Sequence, residues 1–430
     1  MNYSKRLHAV IPGGAHTYSR GDDQYPLNAP QILKRGKGCY IWDASGKKYL
    51  DYGMALRAVT IGYAYKPVCD AAFQQIKYGN NLTRPSVVEL EAAELLTKII
   101  PSAEMVKFAK NGSVVTTAAV KLARAYTGRK YIAICSEHPF FSYDDWFIGS
   151  TIVNRGVPKE TSDLTLKFHY NDIESLKQLF KAYPKQIAGV LLEPVTTTPP
   201  QKDFLQNIKT LCHKEGAVFI LDEMISGFRW HMQGAQTYFH VTPDLCTFGK
   251  GMANGFSVAA LAGKREIMNL GGILEEGQER VFLISTTHGA EMAGLGAFVR
   301  TMSEYKKLHV VEHLWKYGKK LIDGMNGIAK DLGIQEHFLV EGYPCSPGYV
   351  TKDEQKAVSL PFRTLFSQEM IHNGILMPWI ALSYSHTDIE LQKTLFGVEK
   401  ALRVYKNALN FGWKKYLKGP SIKPVFRKEN

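Results

Sequence analysis

The chain has 430 residues, 45% of them hydrophobic and 22% charged, with 53 Lys and Arg against 40 Asp and Glu. These proportions belong to a soluble globular protein of two or more structural units; they exclude a low-complexity chain, and no apolar run of about 18 residues is present to span a membrane. The net charge of +13 admits an acidic partner, but the lysines are dispersed, so it reads as a basic solvated surface and not as a nucleic-acid patch.

The first residues, MNYSKRLHAVIPGG, are basic and lack the apolar core of a signal peptide, so the cytoplasm is the expected compartment. Residues 38–49 (GCYIWDASGKKY) predict a β-hairpin turning at Ser45-Gly46. Met105–Ala109 predicts a strand and 116–126 an amphipathic helix. Tyr131–Cys135, Ile187–Leu192 and 218–221 predict further strands, with 204–214 helical between the last two. Strands alternating with helices predict an α/β architecture: a mostly parallel sheet covered by helices. In such sheets ligands sit beyond the carboxyl ends of the strands. After Ala290 the pattern turns to long helices. Residues 302–332 are mostly helical in period, and 388–409 (DIELQKTLFGVEKALRVYKNAL) are strongly amphipathic. A loop-rich stretch with several prolines, 342–361, lies between them and suggests a second, smaller unit. The six cysteines, at 39, 69, 135, 212, 246 and 345, form no C-x-x-C pair. They read as reduced core thiols, with neither a disulfide frame nor a metal site expected.

One pair of residues carries chemistry. The apolar run GAVFILDE (216–223) ends in two carboxylates, and 28 positions after Asp222 stands Lys250, between two glycines in TFGKG. A strand-end Asp and a glycine-flanked Lys are what pyridoxal phosphate (PLP) needs. The Lys forms a Schiff base with the cofactor aldehyde, and the Asp pairs with the pyridine nitrogen so that the ring accepts electrons. The alternative readings are an Asp that caps the next helix and a surface lysine. Small neighbours favour the functional one at Lys250, since a bulky cofactor must approach the backbone there. Asn111-Gly112-Ser113 follows a strand and precedes a helix, so the N–H groups of Gly112, Ser113 and Val114 are candidate phosphate donors; the same pattern also describes an ordinary capped helix. His138-Pro139-Phe140-Phe141 follows the Tyr131–Cys135 strand at the same sheet end. Phe140 or Phe141 is placed to stack on the ring, with Met224 on its other face; plain hydrophobic packing is the alternative.

With these residues in place, the chain resembles the class III (fold type I) PLP-dependent aminotransferases, in the glutamate-1-semialdehyde 2,1-aminomutase-like branch. The resemblance is strongest over 220–268, through ILDEMISGFR, QGAQ and VTPDLCTFGKGMANGFSVAALAGKREIM. It implies Asp222 as the pyridine partner and Lys250 as the Schiff-base lysine. Weaker matches extend it. In IPGGAHTYSR the family's substrate-carboxylate arginine corresponds to Arg20. LARAYTGR matches the helix after the phosphate loop, and Glu193-Pro194-Val195 matches E-P-V. Thr286 in STTHGAEMAG matches the threonine of G-T-x-x-G-N-P, which in these dimers reaches the phosphate of the neighbouring subunit's cofactor. A homodimer is therefore implied. So is a fold with a large PLP-binding domain (66–300) and a smaller α+β domain from 301–430, the segment 1–65 joining the small domain and the dimer contacts. The departures lie around the core. The N-S-G-T-E-A loop reads N-G-S-V-V-T, the aromatic-His-Gly motif becomes Pro139-Phe140-Phe141, Ala290-Glu291 replaces Asn-Pro, and the segment Pro378 to His386 is short and lacks the family's pocket Glu. The changes cluster in the substrate pocket while the core from 220 to 268 is kept, which points to a transaminase moving an amino group from an amino acid donor to an aldehyde or keto acceptor, with amino-sugar or surface-polysaccharide biosynthesis as the setting. The aminomutase activity itself is the alternative.

Overall fold

The computed structural model describes residues 2–138 and 140–430. The chain divides into two compact units, Lys66–Val311 with Lys428–Asn430, and Met1–Tyr65 with Glu312–Arg427.

The first unit is built on a seven-stranded sheet. In chain order its strands are β1 (Met105–Ala109), β2 (Tyr131–Cys135), β3 (Thr165–Phe168), β4 (Ile187–Leu192), β5 (Val218–Asp222), β6 (Leu245–Phe248) and β7 (Ala259–Gly263). Their spatial order is β1-β7-β6-β5-β4-β2-β3. All neighbours run parallel except β7, which is antiparallel to both β1 and β6. Strands β4 and β5 are buried along their whole length, as continuous apolar runs covered on both faces must be. Val190, Phe219 and Leu221 of these strands and Ala133 of β2 join Ile208 and Cys212 of the helix Phe204–Glu215 in one core cluster. The parallel strands therefore deliver Cys135, Leu192, Asp222 and Phe248 to one edge, where the loops to the next elements leave the sheet.

Strands β3, β6 and β7 extend the predicted set. The helix α1 (Gly112–Thr127) begins four residues before the predicted start, capped by the Asn111 side chain and closed by Gly128 in the left-handed region. The helical stretch predicted over 302–332 is two helices broken at left-handed His309: α2 (Met292–Leu308), which belongs to this unit, and α3 (Val310–Asp331), which belongs to the second unit from Glu312 on.

In the second unit, strands Leu33–Lys37, Tyr40–Asp43 and Lys48–Asp51 form an antiparallel meander, and Ile375–Leu376 pairs in parallel with its last strand. The turn between the second and third strands falls at the predicted Ser45-Gly46. Helix α4 (Asp388–Phe411) starts with a capping box, Thr387 with Glu390, and buries Leu391, Val398 and Leu402. All six cysteines are free thiols, five of them buried. Among the described residues no helix is long and apolar enough to cross a membrane, and no group of His, Cys, Asp and Glu is placed to hold a metal ion.

Candidate active site

Asp222 ends β5 and is 3% exposed. Parallel pairing sets it opposite Thr247 of β6. The Thr247 hydroxyl donates to Asp222 Oδ1 at 3.1 Å, and the Met224 N–H donates to the same oxygen at 2.9 Å. Both bonds fall on Oδ1, so the lone pairs of Oδ2 remain for a further donor. Burial pushes the carboxyl up to about 6, against the opposing pull of these two bonds and of the Lys250 charge. A buried carboxylate of this kind is completed by a cationic N–H, which is what a protonated pyridine nitrogen supplies.

Lys250 follows β6 at the same sheet edge and opens a short 3-10 turn, Lys250–Ala253. Its backbone is left-handed, with φ of 42°, a conformation a side chain other than glycine's adopts at a cost. The turn is braced from α2, where the Tyr305 hydroxyl donates to the Gly251 carbonyl at 3.2 Å.

The glycines beside these residues are explained by Met224. A Cβ on Gly249 would lie 2.6 Å from the Met224 sulfur, and one on Gly112 would lie 3.0 Å from it. Met224 thus fills the space that two side chains would otherwise take, between the start of α1 and the lysine turn. Glycine at both positions lets the two turns close on Met224 where a Cβ would obstruct them.

At the start of α1, Asn111 accepts from the Val114 N–H at 3.1 Å. Val114 is therefore engaged by the cap, and Gly112 and Ser113 supply the N–H groups that the helix leaves without intrahelical partners. The Ser113 hydroxyl accepts from the Tyr143 N–H at 3.1 Å, which leaves its own proton to donate. A latch unseen in the sequence fixes this turn. Thr116 donates to the Phe141 carbonyl at 2.8 Å, Thr117 donates to Asp144 at 2.5 Å, and Trp146 donates to Thr117 at 2.8 Å. The only sequence trace of it is the pair of adjacent threonines one turn into the helix.

The latch also separates the two phenylalanines. Phe141 is 2% exposed and belongs to the core, whereas Phe140 is 47% exposed, its ring edge-on to Phe147. Phe140 is thus the one with a face available; Pro139 lies outside the described residues. His138 is buried, and burial holds its imidazole down to about 4. Its Nδ1 accepts from the Glu193 N–H at 3.0 Å, so the ring proton is assigned to Nε2. The second carboxylate of the strand end, Glu223, has a structural task. It accepts from the N–H groups of Ala235 and Gln236 and from the Gln236 side chain, at 2.5–3.1 Å.

Two predicted residues stand on other segments of the chain. Thr286 is exposed, in the irregular stretch before α2, with its hydroxyl close over Gly289. Arg20 belongs to the other unit, on the turn Tyr18–Arg20. Its charge acts on Tyr25, whose hydroxyl burial pushes up to about 12.

The chain is similar to known proteins along most of its length. The family model for aminotransferase class-III matches residues 21–337. A 3-aminobutyryl-CoA aminotransferase from Cloacimonas acidaminovorans is 30% identical over 95% of this chain and 98% of its own length. A glutamate-1-semialdehyde 2,1-aminomutase from Alkaliphilus metalliredigens is 30% identical over 93% of this chain and 94% of its own. Among solved structures, the FumI protein of Sphingopyxis sp. MTA144, in its PLP internal aldimine form, superposes with a TM-score of 0.87 at 25% identity, covering 95% of this chain and 97% of that one. The fold is that of the PLP-dependent transaminases of fold type I, and the chain belongs to the class III aminotransferases, enzymes that use PLP.

Proposed function

We propose that the enzyme is a transaminase that takes an amino group from an amino acid donor and delivers it to an aldehyde or keto acceptor. The observation that carries the chemistry is the buried Asp222 carboxylate within reach of the Lys250 charge at the ligand end of the sheet. Bound PLP supplies an electron sink for the pair left when a substrate C–H bond breaks. Asp222 keeps the ring nitrogen protonated. The N–H groups of Gly112 and Ser113, with the Ser113 hydroxyl, bind the phosphate, and Val114 shares its N–H between the phosphate and Asn111. Met224 and Phe140 are the side chains that would pack against the ring. Lys250 would hold the cofactor through its Nζ, and the same amine, when free, would serve as the base that moves a proton at the substrate carbon. Arg20 binds a substrate carboxylate. The working form is a cytoplasmic homodimer in which Thr286 of each chain reaches the cofactor phosphate of the other.

The transaminase reading, as against the aminomutase, is supported by where the chain departs from the aminomutase-like pattern, at Ala290-Glu291 and in the short segment from Pro378 to His386. Specialised biosynthesis of an amino sugar or surface polysaccharide is the setting we favour from the same resemblance. A donor screen tests the reading. Candidate amino acids are added singly to the PLP-loaded enzyme, and the visible band of the lysine-bound cofactor is followed. A donor should bleach the band with no acceptor present, and a carbonyl acceptor should restore it. Lys250→Ala should show no turnover. Conversion of glutamate-1-semialdehyde with no added donor would instead establish the aminomutase.

A further inference from the structure

Lys110 is the residue immediately before the phosphate loop, and three segments of the site meet on it. Its side chain forms an ion pair with Glu291, each partner about a quarter exposed. Its carbonyl accepts from the Ser257 hydroxyl at 2.5 Å, which ties it to the chain that continues from the lysine turn. Glu291 is the residue before α2, where a negative charge meets the positive end of the helix dipole. Its other oxygen accepts from the Asn80 side chain at 2.7 Å. Asn80 completes the joint: its carbonyl accepts from the Met292 N–H at 2.8 Å and its side-chain oxygen from the Ala293 N–H at 3.0 Å. The packing there has no slack. A Cβ on Gly294 would lie 2.7 Å from Val258 and 3.6 Å from Lys110 Nζ, and one on Gly289 would lie 2.7 Å from the Thr286 hydroxyl.

We propose that Lys110 and Glu291 form a positioning clasp for the cofactor phosphate, holding the N–H donors at Gly112 and Ser113, the chain after Lys250 and the loop bearing Thr286 in one fixed arrangement. Neither residue needs to touch the cofactor. The clasp acts on retention of PLP, because slack at Lys110 passes through one residue, Asn111, to the cap of α1. The hydrogen bond from Lys110 is the largest cause holding the Glu291 carboxyl below its usual range, consistent with an ionised pair at neutral pH. This inference rests on PLP as cofactor and not on which donor or acceptor is used.

The test is the dissociation constant of PLP, measured by titrating resolved apoenzyme and reading the visible band. Glu291→Gln and Lys110→Met should each weaken PLP binding by about tenfold, the factor that corresponds to ~1.4 kcal/mol. The double variant should be no weaker than either single one, since the second change removes a partner already lost. Lys110→Arg, which keeps the charge, should stay within about twofold of the parent enzyme. Apoenzyme melting curves separate a loosened clasp from a damaged fold: the clasp changes PLP affinity in variants whose apo forms melt with the parent. Unchanged affinity in both single variants, or additive losses in the double, would overturn the proposal. If Lys110→Met does not fold, Lys110→Arg and Glu291→Gln decide the matter between them. Failure of the donor screen with normal PLP binding would count against the transaminase reading and leave the clasp standing.

Discussion

A carboxylate with almost no water around it, such as Asp222, is held in the chain against its own solvation. Burial raises its pKa to about 6 even with two hydrogen bonds and a nearby lysine opposing the rise. The folded value lies above the unfolded one, so between about pH 4 and pH 6 the native apoprotein binds more protons than the unfolded chain and its stability falls as pH rises; above that window the destabilisation is complete, on the order of 2–3 kcal/mol. Asp222→Asn removes the charge. The variant apoprotein should therefore be more stable than the parent at pH 7.5 by on the order of 2 kcal/mol, with the gap closing towards pH 4. It should also lose at least ~100-fold in turnover, because an amide does not hold a pyridine nitrogen protonated. Urea denaturation at the two pH values checks the first statement. A gap that is absent at pH 7.5, or equally wide at pH 4, would mean the carboxylate is not desolvated as the fold suggests. Asp222 was legible in the sequence because it ends an apolar run; Thr247 was not, because only strand register sets it opposite Asp222.

At the level of elements, the proposed cofactor cradle is made by two loops and one methionine. Gly249 has an extended backbone that alanine also adopts, so what the substitution Gly249→Ala changes is space: its Cβ would fall 2.6 Å from the Met224 sulfur. Methionine is flexible and gives way, so folding stability should change by about 1 kcal/mol or less. The displaced thioether has to move away from Gly249, and PLP binding should weaken by roughly tenfold, ~1.4 kcal/mol. Met224→Ala in the same chain should recover most of that loss, which a titration of the two apoenzymes would show; no recovery would place the harm elsewhere than Met224. The elements that sequence patterns missed share a physical cause. LCTF in β6 is only four residues long, and AALAG in β7 is rich in small residues with little intrinsic preference for strand. They are strands because β7 is zipped between two neighbours, Ala262 pairing with Cys246 on one side and Val106 on the other. The first turn of α1, Gly-Ser-Val-Val, is likewise poor helix sequence. The Asn111 cap and the threonine latch hold it, and neither is visible until distant loops are brought together. By contrast IAGVLL in β4 and VFIL in β5 could be read directly, since unbroken apolar runs of that length suit the centre of a doubly covered sheet.

For the molecule as a whole, the open question is whether one chain makes a complete site. Thr286 is exposed, and the segment that carries it also exposes Ile273, Leu274 and Phe282. Elsewhere in the same unit Phe73, Tyr78, Val87 and Leu90 are exposed within a short stretch of chain. Apolar side chains left in water in such numbers are suited to cover by another surface, and a second copy with two-fold symmetry would cover both partners alike. The proposal that Thr286 serves the neighbour's cofactor makes a sharp demand on mixtures. Lys250→Ala and Thr286→Ala homodimers should each be inactive or strongly impaired. Co-refolded in equal amounts, half the dimers are mixed, and each mixed dimer holds one site with an intact Lys250 from one chain and an intact Thr286 from the other. The other site carries both lesions. Activity should therefore recover to roughly a quarter of the parent enzyme's, the share of intact sites under random pairing. If Thr286 serves its own chain, every site in the mixture keeps one lesion and the activity stays at the average of the two homodimers. Different affinity tags on the two chains, recovered through both columns, confirm that mixed dimers have formed, so a flat result would be a statement about Thr286 and not about assembly.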